Sequence, residues 1–415
     1  MANFTKSVLV VGFNTRPLTY SLKKVGYDVY AVDFFGDEDL YPNVKDSFVL
    51  TKELGMDYNT IKDNYGKLLA NFAIKMLRKY PKIENLIIGS GLDDAYEERG
   101  IILNEILQKS YHVKDLNNNL ETIQRARNIE QVYDYLKFNK FNVPFSIGLE
   151  KLKFYKHHLQ FPIIFKKFKS AGGINVFKIK NIEILSSLIR ELSSKNTNLS
   201  DWLIQEYIDG IPISCTTISN GEECLVVSIN RQIMGESRLY PPKEFMYCGN
   251  IVPADLSKKE NKLISKISMF LTTKLGLKGI NGFDYVLKDG YPYLMEINPR
   301  IPGSIRATEN SYDLNLLDLH IKSFDVDKWD FVTKIIGSKK ISGFSTKLIL
   351  FAPKEIERSF LPKINSLEFV HDKSEPIKGI QKGEPLCSVL YNGRTLQESY
   401  KGAINIVEKI NRIIN

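Results

Sequence analysis

Two carboxylates carried on paired apolar segments are the most chemically specific feature of this sequence. Gly282-Phe283-Asp284-Tyr285-Val286-Leu287 is followed by Glu296-Ile297-Asn298-Pro299-Arg300. Both segments read as strands, and Lys288-Asp289-Gly290 between them reads as the turn of an antiparallel hairpin. Two carboxylates and an amide oxygen are hard ligands of the kind Mg²⁺ takes when it also holds phosphates, so Asp284, Glu296 and Asn298 are candidate metal ligands. Glu296 sits between Met295 and Ile297, where an unpaired carboxylate is costly without a cation. Asn298, two residues on, shares its face, and Arg300 continues the series as a fixed cation for phosphate oxygens. In a regular ladder Asp284 faces Glu296 only if the turn holds an odd number of residues, such as three or five. A two-residue turn would place the carboxylates on opposite faces, so an odd loop is the expectation.

A second concentration of chemistry lies upstream. From Lys137 to Lys180 the chain has ten lysines against one acid, Glu150, with Gly172 and Gly173 inside the stretch. A basic field around a glycine turn suits a polyphosphate, because the lysines supply charge and the bare backbone supplies N–H donors and mobility. Pro162-Ile163-Ile164-Phe165-Lys166 ends an apolar strand in a lysine just before those glycines. Lys166 and Lys167 are both available at that strand end. No G-x-S-x-G or Cys–His signature accompanies these groups, so a nucleophilic side chain is not expected. The four cysteines form no C-x-x-C pair and the five histidines no H-E-x-x-H, which excludes the usual zinc patterns and leaves buried free thiols.

With these residues in order, the chain resembles the ATP-grasp superfamily, whose members carry an acid on one strand followed by an E-x-N-P-R strand. The resemblance makes Lys166 the phosphate-binding lysine and Ser170-Ala171-Gly172-Gly173 the glycine loop over the phosphates. Ile204-Gln205-Glu206-Tyr207-Ile208 becomes the hinge strand that reads adenine, with Gln205, Glu206 and Ile208 assigned by motif position. Asp209 is the acid nearest the usual ribose position, although slightly early. Arg125-Ala126-Arg127-Asn128 matches the helix that often supplies a second phosphate-binding cation, here Arg127 or Arg125. What the resemblance implies is a Mg²⁺- and ATP-dependent ligase, with Mn²⁺ able to stand in for Mg²⁺. It would activate a small-molecule carboxylate as an acyl phosphate for attack by an amine. Arg300 and Lys166 would be its catalytic cations, and the resemblance allows a homodimer.

The elements that must position these groups follow from periodicity. Val8 to Val11, a helix opened by Pro17 and ended by Gly26, and Val29 to Val32 make a βαβ unit, and Asn85 to Ile88 with its preceding helix continues the pattern. Residues 1–115 therefore read as a Rossmann-like α/β domain. Gly12 followed by Asp33 invites a dinucleotide reading, but Gly12-Phe13-Asn14-Thr15-Arg16-Pro17 fills with side chains the space that G-x-G-x-x-G leaves bare. Residues 116–332 read as α+β, which the resemblance makes an ATP-grasp core with a lid at about 145–208, and 333–415 as a small β-rich domain closed by a helix. The whole is thus an α/β and α+β multidomain chain. Asn14, Thr15, Arg16, Ser90 and Asp93 lie at parallel strand ends, where such sheets bind ligands. Arg231 and Arg238 are candidates for a carboxylate clamp.

Composition sets the outer bounds. The chain has 415 residues, 43% hydrophobic and 25% charged, which suits several packed lobes rather than disorder or a disulfide scaffold. No apolar run is long enough to cross a bilayer and the first residues read as a strand, so a cytoplasmic protein without a membrane partner is expected. The net charge of +9 is compatible with nucleic acid, but the lysine run encloses the glycine loop, so small polyanions and no nucleic-acid partner are expected. A non-catalytic ATP- or nucleic-acid-binding protein remains the alternative of a different class. A biotin-carboxylase-like carboligase is the other enzyme reading. Against it, Ile301-Pro302-Gly303-Ser304-Ile305 lacks the glutamate such enzymes carry shortly after the arginine, and there is no Met-Lys-Met biotinyl site.

Overall fold

The computed structural model describes residues 6–56, 60, 64–109, 112–168, 173, 175–195, 197–375 and 379–415. Its N-terminal part is a parallel sheet of β1 (Ser7–Gly12), β2 (Asp28–Asp33), β3 (Asp46–Val49), β4 (Asn85–Ile88) and β5 (Lys114–Asp115), ordered β3-β2-β1-β4-β5. Every residue of β1 is buried, as a continuous apolar run must be when helices cover both faces of a sheet. Helix Arg16–Lys24 opens with Pro17 in its first turn, as the sequence predicts. Asp33 does not await a ribose: its carboxylate accepts the Thr15 N–H and hydroxyl, and the N–H groups of Phe35 and Gly36. Phe13 stacks on Phe34 at 4.4 Å, so the first turn is packed with aromatic side chains.

The stretch expected to be a lid contains an antiparallel sheet ordered β6-β9-β7-β8, from β6 (Ser146–Gly148), β7 (Ile163–Lys167), β8 (Val176–Ile179) and β9 (Trp202–Glu206). It has its own core around Phe165, Trp202, Ile204 and Leu185. The helical stretch before it is split: Leu120–Arg127 stops at Asn128, whose side chain accepts the Gln131 N–H and caps Ile129–Phe138.

The largest sheet has eight antiparallel strands: β10 (Ile211–Asn220), β11 (Cys224–Met234), β12 (Tyr247–Val252), β13 (Lys278–Lys288), β14 (Tyr291–Asn298), β15 (Phe344–Phe351), β16 (Val370–His371) and β17 (Pro385–Gly393). Their order is β14-β13-β10-β11-β12-β15-β17-β16. Because β15 pairs with β12, the C-terminal strands extend the same sheet that carries the metal motif. Residue 333 falls inside helix Trp329–Ser338, and helix Leu396–Ile414 covers the far end of the sheet. All four cysteines are buried and free.

Candidate active site

The β13–β14 hairpin brings Asp284 directly opposite Glu296, by a route different from the expected one. The turn has two residues, with Lys288 paired to Tyr291 and Asp289 and Gly290 both at positive φ, 51° and 79°, as a type I′ turn demands. Tyr285 still pairs with Leu294, but the next pair is Asp284 with Glu296. Met295 is thus the extra residue of a β-bulge, and the bulge supplies the odd residue that the expectation placed in the loop. Leu294 and Ile297 consequently both pack into the core, while Glu296 and Asn298 face the cleft.

Asp284 is held by two neutral donors, Gln232 Nε2 at 2.9 Å on Oδ1 and Asn298 Nδ2 at 2.8 Å on Oδ2. Burial, and then the charge of Glu296, push its carboxyl up to about 7 against those hydrogen bonds. Two carboxylates face to face, one of them strained in this way, with an amide alongside, fit a hard divalent cation that also takes phosphate oxygens. Among the described residues no cluster of three or more His, Cys, Asp or Glu is placed to hold a metal ion.

Three cations meet these carboxylates. On β7, Phe165 stacks on Trp202 in the lid core, and Lys167 Nζ lies 5.9 Å over the same ring. Alternation then turns Lys166 to the other face, where its charge feels Glu296 and Arg127. Burial lowers the Lys166 ammonium, Glu296 pulls it back and Arg127 adds to the lowering, leaving it at about 8. Arg127 donates to Asp94 through Nε at 3.0 Å and Nη2 at 2.8 Å, and through Nη1 to the Glu296 carboxylate. Burial opposes its charge, but Glu296, Asp94 and Asp93 together raise its pKa. Arg125 points elsewhere, to the Leu275 carbonyl at 3.0 Å. Arg300 pairs with Asp93 through Nε. Burial works against the Asp93 carboxylate, yet Arg300, Arg127 and Arg99 hold it below its usual range.

The residues expected to face the nucleotide are distributed along the β6–β9 sheet and the segment after it. Gly172 lies outside the described residues. Gly173 has φ +79° and a Cβ there would meet the Phe245 carbonyl oxygen at 1.9 Å, so only glycine fits. Gln205 is buried and its side chain donates to Tyr133 Oη at 2.9 Å and Ser146 Oγ at 3.0 Å. Glu206 clamps Phe145, with Glu206 N–H on its carbonyl at 2.8 Å and Phe145 N–H on Glu206 Oε2 at 3.1 Å. Strand β9 ends at Glu206, and the backbone of Tyr207 to Gly210 runs on to β10. Ile208 is buried and Asp209 is exposed, 3.4 Å from the Tyr207 hydroxyl.

The second-substrate candidates divide. Asp93 reaches the cleft through Arg300, whereas Thr15 caps Asp33 and Arg16 pairs with Asp372 at 2.6 Å, toward the C-terminal strands. Asn14 also donates to Asp372, and the Ser90 carbonyl accepts the Phe13 N–H. The Arg231 and Arg238 clamp does not form. Arg231 pairs across the ladder with Ile213, a residue of the opposite, core-packed face, while Arg238 is exposed and held by Glu236 and Tyr400. Sequence reasoning missed Asp94 and Gln232. The Asp93-Asp94 doublet just past an apolar strand is a local signal, but nothing near Gln232 announces that β11 lies two strands from Asp284.

In this geometry a four-stranded sheet and the β13–β14 hairpin bring Lys166, Arg127 and Arg300 together with Asp284 and Glu296. The family model of the ATP-grasp domain matches residues 127–304, and that stretch of the chain is an ATP-grasp domain. An uncharacterized protein of Methanocaldococcus jannaschii is 28% identical over 403 residues, covering 96% of this chain and 90% of that one. A D-alanine–D-alanine ligase of Pelagibacter ubique is 27% identical over 184 residues, 42% of this chain and 54% of the ligase, so that match spans about half of the relative. Among solved structures, carboxyaminoimidazole ribonucleotide synthase from Aspergillus clavatus, complexed with ATP, superimposes with a TM-score of 0.69 at 14% identity. That match covers 98% of this chain and 99% of the synthase, so the fold extends over all three parts of the molecule. Among the described residues no helix is long and apolar enough to cross a membrane.

Proposed function

We propose that the protein is a Mg²⁺- and ATP-dependent ligase that joins a small-molecule carboxylate to an amine and releases ADP and phosphate. The observation that carries the reading is the single cleft face where Asp284, Glu296 and Asn298 meet Arg127, Arg300 and Lys166. A carboxylate is a poor electrophile because its leaving group would be oxide. In the proposed first step a carboxylate oxygen attacks the γ-phosphorus, the bond to the β–γ bridging oxygen breaks, and ADP leaves. The resulting acyl phosphate is attacked at carbon by the amine nitrogen; the carbon–oxygen bond breaks, phosphate departs with its electron pair, and the nitrogen loses a proton. Lys166 and Arg300 supply fixed positive charge where the transferring group gains negative charge, and Arg127 supplies it to the nucleotide phosphates. Bound through Asp284, Glu296 and Asn298, Mg²⁺ would neutralise phosphate oxygens during transfer. No side-chain nucleophile is needed, which fits thiols that burial drives above their usual range.

The competing carboligase reading loses support at the position after the arginine. The first carboxylate beyond Arg300 is Glu309, which is buried and occupied by Arg306, the Ser21 hydroxyl and the Leu316 N–H. Product analysis separates the readings. With a pool of small carboxylates and amines, the ligase yields ADP in amounts that depend on both. AMP with pyrophosphate would rule out acyl-phosphate chemistry, and ADP formation driven by bicarbonate without an amine would favour the carboligase.

A further inference from the structure

The two metal carboxylates are not held alike. Among the described residues, the side-chain donors to Asp284 are the neutral amides of Gln232 and Asn298. Glu296 carries a cation, the Nη1 edge of Arg127, whose side chain is 4% exposed. The opposite edge of that guanidinium is fixed by a fork of two bonds to Asp94, at 3.0 and 2.8 Å. Asp94 belongs to the loop after β4, in the N-terminal sheet, so one arginine ties that sheet to the metal strand. A bidentate guanidinium–carboxylate pair resists rotation, whereas the single-edge contact to Glu296 can be exchanged.

Resting on the reading above, we propose that Arg127 is a charge exchanger pivoting on Asp94. It neutralises Glu296 while the cleft is empty and transfers its Nη1 edge to the phosphates when nucleotide arrives, so the metal gains Glu296 only together with nucleotide. A free divalent cation meets a pair of carboxylates already half neutralised, and must compete with a buried arginine for Glu296. A nucleotide offers Arg127 another anion and frees the carboxylate. Asp94 is the positioning residue here, acting through Arg127, which itself passes from Glu296 to the phosphates.

The test is Mn²⁺ binding, followed by the electron paramagnetic resonance of the free ion with the full-length protein, with and without ADP. Wild type should bind Mn²⁺ weakly alone and tightly with ADP. Arg127→Gln should bind Mn²⁺ alone about tenfold or more tighter than wild type, within the roughly 5–150-fold range of ordinary site coupling, while ADP without metal binds more weakly. Arg127→Lys keeps the charge but not the fork, so its metal-only affinity should rise by a smaller factor; it reports on the same exchange if Arg127→Gln is poorly folded. A purely structural Arg127 would make metal binding in these variants unchanged or weaker, and that result overturns the exchange while leaving the metal assignment intact. Failure of wild type to bind Mn²⁺ even with ADP would overturn the metal assignment and the exchange together.

Discussion

Replacing Asp284 by Asn should stabilise the ligand-free protein and destroy the metal site, and the stabilisation should depend on pH. Burial and Glu296 raise the Asp284 carboxyl from an ordinary 3.8 to about 7. A carboxyl whose folded pKa lies above its unfolded one penalises the folded state progressively as pH climbs from about 4 to 7, and the penalty is constant above that. At about 1.4 kcal/mol per unit of pKa, the cost is about 1.5 kcal/mol at pH 5 and about 4 kcal/mol at pH 8, as upper bounds. The neutral amide of the Asp284→Asn variant avoids this cost, and amide rotation of Gln232 or Asn298 can restore the bonds now made to Oδ1 and Oδ2. Thermal denaturation without metal should therefore place Asp284→Asn above wild type by a margin that widens between pH 5 and 8 to a few degrees. Adding Mg²⁺ to the ADP-saturated protein should raise the wild-type midpoint further and leave that of the variant unmoved. A margin that is flat or shrinking across that pH range would refute the electrostatic reasoning, and retained metal response in the variant would refute the ligand assignment.

Glu296→Gln should lower Mg²⁺-dependent turnover by about 100-fold or more while near-native thermal stability persists, since backbone pairing and the packing of Leu294 and Ile297 hold the hairpin; unchanged turnover would remove Glu296 from the site. With Lys166 at about 8, its positive charge is lost as pH rises through that value, so nucleotide affinity measured by calorimetry should fall between pH 7 and 9.5. Lys166→Arg does not titrate in that range and should flatten the profile. Arg125→Gln should leave turnover unchanged and cost about 1 kcal/mol of stability for the hydrogen bond lost at Leu275; a large loss of turnover would show that the wrong arginine has been placed in the cleft.

The parts legible in the sequence are those where residue type and period carry the information. A buried parallel strand such as β1 is an unbroken apolar run, and the polar members of β14 declare themselves because they interrupt an apolar strand at alternate positions. Lys166 rather than Lys167 follows from where Trp202 sits, which no local pattern gives. The alignment of Asp284 with Glu296 was anticipated, but not the bulge at Met295, because the same hairpin sequence admits a loop or a bulge until packing of Leu294 and Ile297 against one core decides. The shared sheet across residue 333 is a matter of which edges meet, and β12 with β15 pair over about a hundred residues of intervening chain. Contacts between the N-terminal sheet and the core, Asp93 with Arg300 and Asp94 with Arg127, are likewise long-range and invisible to periodicity.

The proposed reaction turns on transfer of the γ-phosphoryl group to a substrate carboxylate. Its most direct test follows ¹⁸O from labelled carboxylate substrates, supplied with amines and Mg²⁺-ATP, into the inorganic phosphate released. Acyl-phosphate chemistry predicts one labelled oxygen per phosphate formed, with ADP as coproduct and no label transfer in Glu296→Gln. Unlabelled phosphate, or label appearing in AMP, would rule out an acyl phosphate intermediate.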